Sequence, residues 1–142
     1  MSIINLEYTV PGDDFKLAGD ASCQVKNKLK KLGYNTDAIR RVAIAMYEAE
    51  INMVIHANGG KINVDIYPDR VNVTLKDNGP GIKDLSKAMQ EGYSTAPDNI
   101  RELGFGAGMG LPNMKKYTDE LKIDTELEKG TTVYLSVHVN NN

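Results

Sequence analysis

A change of hydrophobic period near the middle of the chain restricts its fold more than any other feature. Ile39, Val42, Ala43, Met46, Ala49, Met53 and Val54 recur at helical spacing from Thr36, a typical N-cap residue, to about His56. Beyond "ANGG" the period drops to two in "KINVDIY" and "VNVTLKD", which Pro68-Asp69-Arg70 separates with turn chemistry. A long amphipathic helix followed by an alternating hairpin must stack its stripe on the apolar face of a sheet.

The flanking segments extend this plan. Residues 3–10, "IINLEYTV", alternate and stop at Pro11-Gly12, which predicts an edge strand. Phe15, Ala18, Val25, Leu29 and Leu32 predict a helix from about Asp13 to Leu32, capped by Gly33. Residues 91–110 lack sustained periodicity, and Pro112 then opens a helix that runs through about Glu120. "LKIDTEL" and "TTVYLSVHV" form a last hairpin around Glu128-Lys129-Gly130, and "NNN" is a frayed tail. The order β, α, α, β, β, loop, α, β, β predicts an α+β fold, a two-layer α/β sandwich with a mainly antiparallel sheet. With 142 residues and no repeat or linker, residues 1–142 read as a single domain.

Charge and hydropathy narrow the partners. Seventeen Lys and Arg against 19 Asp and Glu give a net charge of −2, with no basic footprint for nucleic acid or an anionic membrane. No apolar stretch approaches the roughly 18 residues of a membrane helix, and "MSIINLEYTV" lacks a signal-peptide layout. These features predict a soluble, cytoplasmic protein. The lone Cys23 has no internal disulfide partner and no metal-ligand neighbour, and reads as a small packing or surface residue.

Three stretches carry candidate chemistry. In "EAEIN", Glu48 and Asn52 stand four apart on one helix face, either as a functional pair or as part of a solvated stripe. "KDNGPGIKD", Lys76 to Asp84, holds Asn78-Gly79, by itself a tight-turn signal at the end of a strand. "GFGAGMG" directly precedes a helix beginning near Leu111, where free backbone N–H groups and the helix dipole favour a phosphate. A flexible connector has the same composition. It is neither a Walker A loop nor a Rossmann fingerprint, since no G-K-[ST] follows and no βαβ unit surrounds it.

In combination these motifs are far more specific. Glu48 with Asn52, "DNGPGI" after a strand, "GFGAGMGL" before a helix and "KGTTV" in the last hairpin resemble, in order and spacing, the GHKL ATPase superfamily with its Bergerat ATP-binding fold. The resemblance covers about residues 5 to 138. Within the superfamily, "EGYST" and "GAGMGLPNMKKYTDELKI" are most similar to the serine/threonine kinases of the anti-sigma-factor group, the switch kinases of stress-signalling modules in particular.

The resemblance implies ATP and Mg²⁺ as cofactors. It makes Asp77 the acceptor for the adenine amino group, with Gly79 and Gly81 clearing space and Thr131 reaching the base through its hydroxyl. Asn52 becomes the Mg²⁺ ligand and Glu48 the general base. Gly104, Gly106, Gly108 and Gly110 become the lid glycines that hold phosphate, while Ser94 and Thr95 at the lid entrance are phosphate contacts or turn residues. Met53, directly after the metal ligand, is larger than the usual family residue, a difference of packing rather than chemistry. "APDNIRELGF" lengthens the lid, and His56, His138, Lys115 and Lys116 read as capping or surface residues.

The implied function is a Mg-ATP-dependent protein serine/threonine kinase acting on a STAS-domain anti-sigma-factor antagonist, with a sigma factor as a further partner. A homodimer is among the assembly states the family allows. The alternative is a nucleotide-dependent binding module with little or no phosphotransfer, against which Glu48 argues, because a binder needs no base. A detached histidine-kinase catalytic domain ranks below both, since those domains more often carry an amide at the Glu48 position and need a phosphoacceptor domain.

Overall fold

A computed structural model describes residues 4–12, 18–56, 59–81 and 110–139. Its elements are β1 (Ile4–Pro11), α1 (Asp20–Lys31), α2 (Thr36–His56), β2 (Gly59–Ile66), β3 (Arg70–Lys76), α3 (Gly110–Tyr117), β4 (Glu120–Glu126) and β5 (Gly130–His138). The strands form one sheet in the order β1-β2-β3-β5-β4, and every neighbouring pair is antiparallel. The order of the described elements and the α+β architecture agree with the pattern of periods in the sequence, and all but the last residue of the predicted loop over 91–110 lies outside the described residues.

Register explains which face is buried. Asn5, Asp65, Asn72, Ser136 and Glu120 lie in one row across the five strands, whereas Leu6, Val64, Val73, Leu135 and Leu121 form the adjacent row. Because alternate residues of a strand point to opposite faces, one face is mostly polar and the other mostly apolar. Val64, Val73 and Leu135 are fully buried in the middle of the apolar row, and Leu6 and Leu121 are half-covered at its edges. The 21-residue helix α2 lies over this face through Val42, Met46, Ala49 and Met53, with α1 and α3 packed on it.

Three helix boundaries differ from the sequence expectation. α3 ends at Tyr117 rather than near Glu120, because Asp119 N–H already donates to Ser136 O and Glu120 opens β4. α1 begins at Asp20 rather than near Asp13, because Ala18 and Gly19 form a turn in which Gly19 has φ 91°, and residues 13–17 lie outside the described residues. α2 is capped by Asn35, not Thr36: the Asn35 Oδ1 accepts from the Ala38 N–H at 2.7 Å, and Thr36 is already the first helical residue. The C-terminus of α1 follows the prediction. Tyr34 N–H donates to Leu29 O and Gly33 N–H to Lys30 O, each at 3.1 Å, with Gly33 at φ 81°. This paired closure is the Schellman motif that glycine permits.

Among the described residues no helix is long and apolar enough to cross a membrane.

Candidate functional site

The polar residues of "EAEIN" are sorted by helix geometry. Residues two apart on a helix face nearly opposite ways, so Glu48 and Glu50 leave α2 toward different neighbours. Glu48 is half-buried and faces α3, where Asn113 Nδ2 donates to Glu48 Oε1 at 3.3 Å. Asn52, one turn on, is also half-buried. Burial, then the Glu48 and Glu50 carboxylates, pushes the phenol of Tyr47, the residue preceding Glu48, above its ordinary range.

Glu50 points the other way and is 1% exposed. Its Oε2 accepts from Gly19 N–H at 3.0 Å and Ala21 N–H at 3.2 Å, and its Oε1 from Ser22 N–H at 3.0 Å and the Ser22 hydroxyl at 2.5 Å. It therefore caps α1 from a distant part of the chain, satisfying N-terminal donors that α1 itself leaves open. The sequence reading passed over this residue. Its position among Met46, Met53 and Val54, at i, i+4, i+7 and i+8, marks a carboxylate inside the apolar stripe, which burial allows only with partners.

Asp77 follows the last residue of β3 and turns toward β5. Its N–H donates to Thr131 O at 3.0 Å, while its Oδ1 accepts from Thr131 N–H at 3.1 Å and Gly79 N–H at 2.9 Å. Both bonds fall on Oδ1, and Oδ2 has no donor among the described residues. The Thr131 hydroxyl lies 2.9 Å from that of Thr125 across the β4–β5 pair.

Close backbone approach fixes this corner. Gly130 is buried at φ 115°, and a Cβ there would run into Asp77 O and lie 3.0 Å from Asn78 Cα. A Cβ on Gly60 would strike both the Met53 methyl and Lys76 O, and come within 3.1 Å of Asp77 Cα. Gly60 is thus the point at which α2, through the neighbour of Asn52, closes on the end of β3. Met53 is a packing residue here, its buried side chain lying over Gly60. Gly81, at φ 79°, abuts Glu126 and Leu127 backbone, so its missing Cβ lets the "DNGPG" loop close on the β4–β5 turn. Glu128 N–H donates to Pro80 O at 2.8 Å in the same contact.

The structure therefore gathers Asp77, Gly79 and Thr131 in one corner and links it through Gly60 and Met53 to the helix bearing Asn52 and Glu48. Gly110 is the first residue of α3. Ser94, Thr95, Gly104, Gly106 and Gly108 lie outside the described residues. Cys23, His138, Lys115 and Lys116 are exposed. Asn113 was not anticipated from sequence; its only signal is that it stands in the first turn of the helix after the glycines.

The residues at this corner suit an adenine nucleotide. A carboxylate with one oxygen held by backbone and the other without a donor among the described residues matches an amino-group donor, and the amide of Asn52 is a hard oxygen ligand of the kind Mg²⁺ accepts.

Comparison with known proteins identifies the family. The family described as histidine kinase-like ATPase domain matches residues 19–137. The chain is 31% identical over 112 residues to the serine/threonine-protein kinase RsbT of Bacillus subtilis (strain 168), covering 76% of this chain and 78% of that protein. It is 34% identical over 143 residues to the anti-sigma F factor of Clostridium botulinum (strain Eklund 17B / Type B), covering 96% and 94%. A crystal structure of the RsbU and RsbW domains of Rv1364c from Mycobacterium tuberculosis shares the fold, with a TM-score of 0.66 at 17% identity over 98% of this chain and 33% of that one.

Proposed function

The chain belongs to the histidine kinase-like ATPase family, and on that premise we propose that it is a Mg-ATP-dependent serine/threonine protein kinase of the anti-sigma-factor type, phosphorylating a STAS-domain regulatory partner. The single observation that carries the nucleotide half of this reading is the state of Asp77, with Oδ1 taken by two backbone N–H groups and Oδ2 without a donor among the described residues. An adenine amino group donates to such an oxygen. Guanine presents a carbonyl acceptor at the same place, and a buried unpaired acceptor costs about 1–3 kcal/mol.

The phosphoryl-transfer half rests on Glu48 and Asn52. Mg²⁺, held by the Asn52 oxygen together with phosphate and water oxygens, would neutralise charge on the phosphates. Glu48 then takes the proton of the partner's serine or threonine hydroxyl as that oxygen bonds to the γ-phosphorus. The bond from the γ-phosphorus to the β–γ bridging oxygen breaks and ADP departs. In this reading Gly104, Gly106, Gly108 and Gly110 are the donors of backbone N–H groups to the phosphates, Ser94 and Thr95 are phosphate contacts or turn residues, and Thr131 completes the adenine contacts with Gly79 and Gly81.

The test uses labelled ATP, Mg²⁺ and a STAS-domain protein. Label on a serine or threonine, lost with Glu48→Gln while nucleotide still binds, supports the reading; unchanged transfer by Glu48→Gln removes Glu48 from the mechanism. The relatives named anti-sigma F factor favour a second reading, a module whose affinity for a regulatory partner, a sigma factor among them, follows the bound nucleotide. ATP-dependent partner binding without any transferred label would support it instead.

A further inference from the structure

We propose that Asn113 is the positioning residue for Glu48, an inference that rests on the kinase reading above. Its Nδ2 donates to Glu48 Oε1 at 3.3 Å, and this hydrogen bond joins α2 to the first turn of α3. Within α2 the carboxylate has only its i±3 and i±4 neighbours Ile44, Ala45, Ile51 and Asn52, and at a half-buried surface it would sample several rotamers. A donor from another helix removes that freedom. The amide orientation follows from Glu48 itself, because an ionised carboxylate accepts and only the NH₂ end of an Asn donates. A neutral donor also orients the carboxylate without forming a full ion pair with it.

The geometry divides the two oxygens of Glu48. Oε1 is engaged by Asn113, and Oε2, with no partner among the described residues, is left for the proton of the attacking hydroxyl, which moves as the new P–O bond forms and the bond to the bridging oxygen of ADP breaks. Since Asn113 is the fourth residue of the helix that Gly110 begins, the base is aimed by the element that directly follows the glycine motif. Placement of α3 and orientation of Glu48 are thereby coupled.

Single-turnover release of labelled phosphate from Mg-ATP, with water as acceptor, tests this, alongside the ATP Kd and the Tm of each variant. Asn113→Ala is expected to slow release about ten- to a hundredfold, the scale of loss for a misplaced catalytic group, with Kd within about twofold of the parent. Asn113→Asp keeps the shape but sets a carboxylate against Glu48, and is expected to be slower than Asn113→Ala. Release by Asn113→Asp at the parent rate, or losses that simply follow Tm, would overturn the role of Asn113. If Glu48→Gln abolishes release and both Asn113 variants are silent, the positioning role fails and the kinase reading stands. A silent Glu48→Gln overturns the positioning role and removes Glu48 from the mechanism, while label transfer to a STAS-domain protein tests the kinase reading separately.

Discussion

Replacing Glu50 with alanine should be among the most damaging single substitutions in the chain. The side chain is almost fully buried and closes three backbone N–H groups and one hydroxyl at the start of α1. The Ser22 hydroxyl rotates toward another acceptor, and Gly19 lies near enough to solvent to find water, so two N–H groups, of Ala21 and Ser22, lose their acceptor in a buried place. At about 1–3 kcal/mol for each buried unsatisfied group, and with the helix-dipole attraction also lost, the cost is about 3–5 kcal/mol. That is a large share of the 5–15 kcal/mol or so by which domains are stable. Glu50→Gln should fall between, at about 1–3 kcal/mol, because its NH₂ group can face the Ser22 hydroxyl but leaves the Ser22 N–H unpaired. Urea unfolding followed by far-ultraviolet circular dichroism measures both. A loss of about 1 kcal/mol for Glu50→Ala would equal an ordinary exposed N-cap and refute the buried clamp.

Other expectations follow from the same contacts. Gly130→Ala should weaken ATP binding and lower stability together, because its Cβ meets Asp77 O at a left-handed φ; calorimetric titration of ATP with parallel melting curves reads both effects. Asn35→Ala should cost about 1 kcal/mol in urea unfolding, and Thr36→Ala much less, since only Asn35 caps Ala38. Asp119 gives a pH signature. Burial acts to raise its carboxyl, but the His138 N–H and the Arg41 guanidinium outweigh it and hold the group below the ordinary carboxylate range. A pKa lowered in the folded state adds stability above the unfolded value of about 3.9, and that contribution disappears as pH falls through the folded value. Acid unfolding of Asp119→Asn should accordingly show a shallower loss of stability below about pH 4.

The elements legible in the sequence were those whose signals are local. Pro68-Asp69-Arg70 between two alternating runs specifies the β2–β3 hairpin within its own residues, and Gly33 terminates α1 through bonds to carbonyls a few positions back. The Asn35–Thr36 boundary shows the limit of such signals. Both residues suit an N-cap, and only the backbone angle at the junction decides which side chain reaches Ala38. The start of α1 was illegible for a different reason, because the carboxylate that stabilises it comes from Glu50, 31 positions beyond Gly19. Asp77 and Thr131 were legible as motif residues, but their mutual bond spans 54 positions and depends on β3 pairing with β5. Asn113 lies inside the stretch that carries the resemblance but has no role assigned by it, and it acquires its partner only through the packing of α3 on α2.

The central claim, that Asp77 reads adenine, is tested most directly by calorimetric titration of Mg-ATP and Mg-GTP into the parent chain and Asp77→Asn. The replacement can keep an oxygen facing the Gly79 and Thr131 N–H groups while turning an NH₂ group to the place of Oδ2, where it opposes the adenine amino group and suits the guanine carbonyl. The account predicts that the parent prefers ATP by about tenfold or more, and that Asp77→Asn weakens ATP by roughly five- to a hundredfold and narrows or inverts the preference. Equal ATP affinity in the two proteins, with the fold intact, would contradict it.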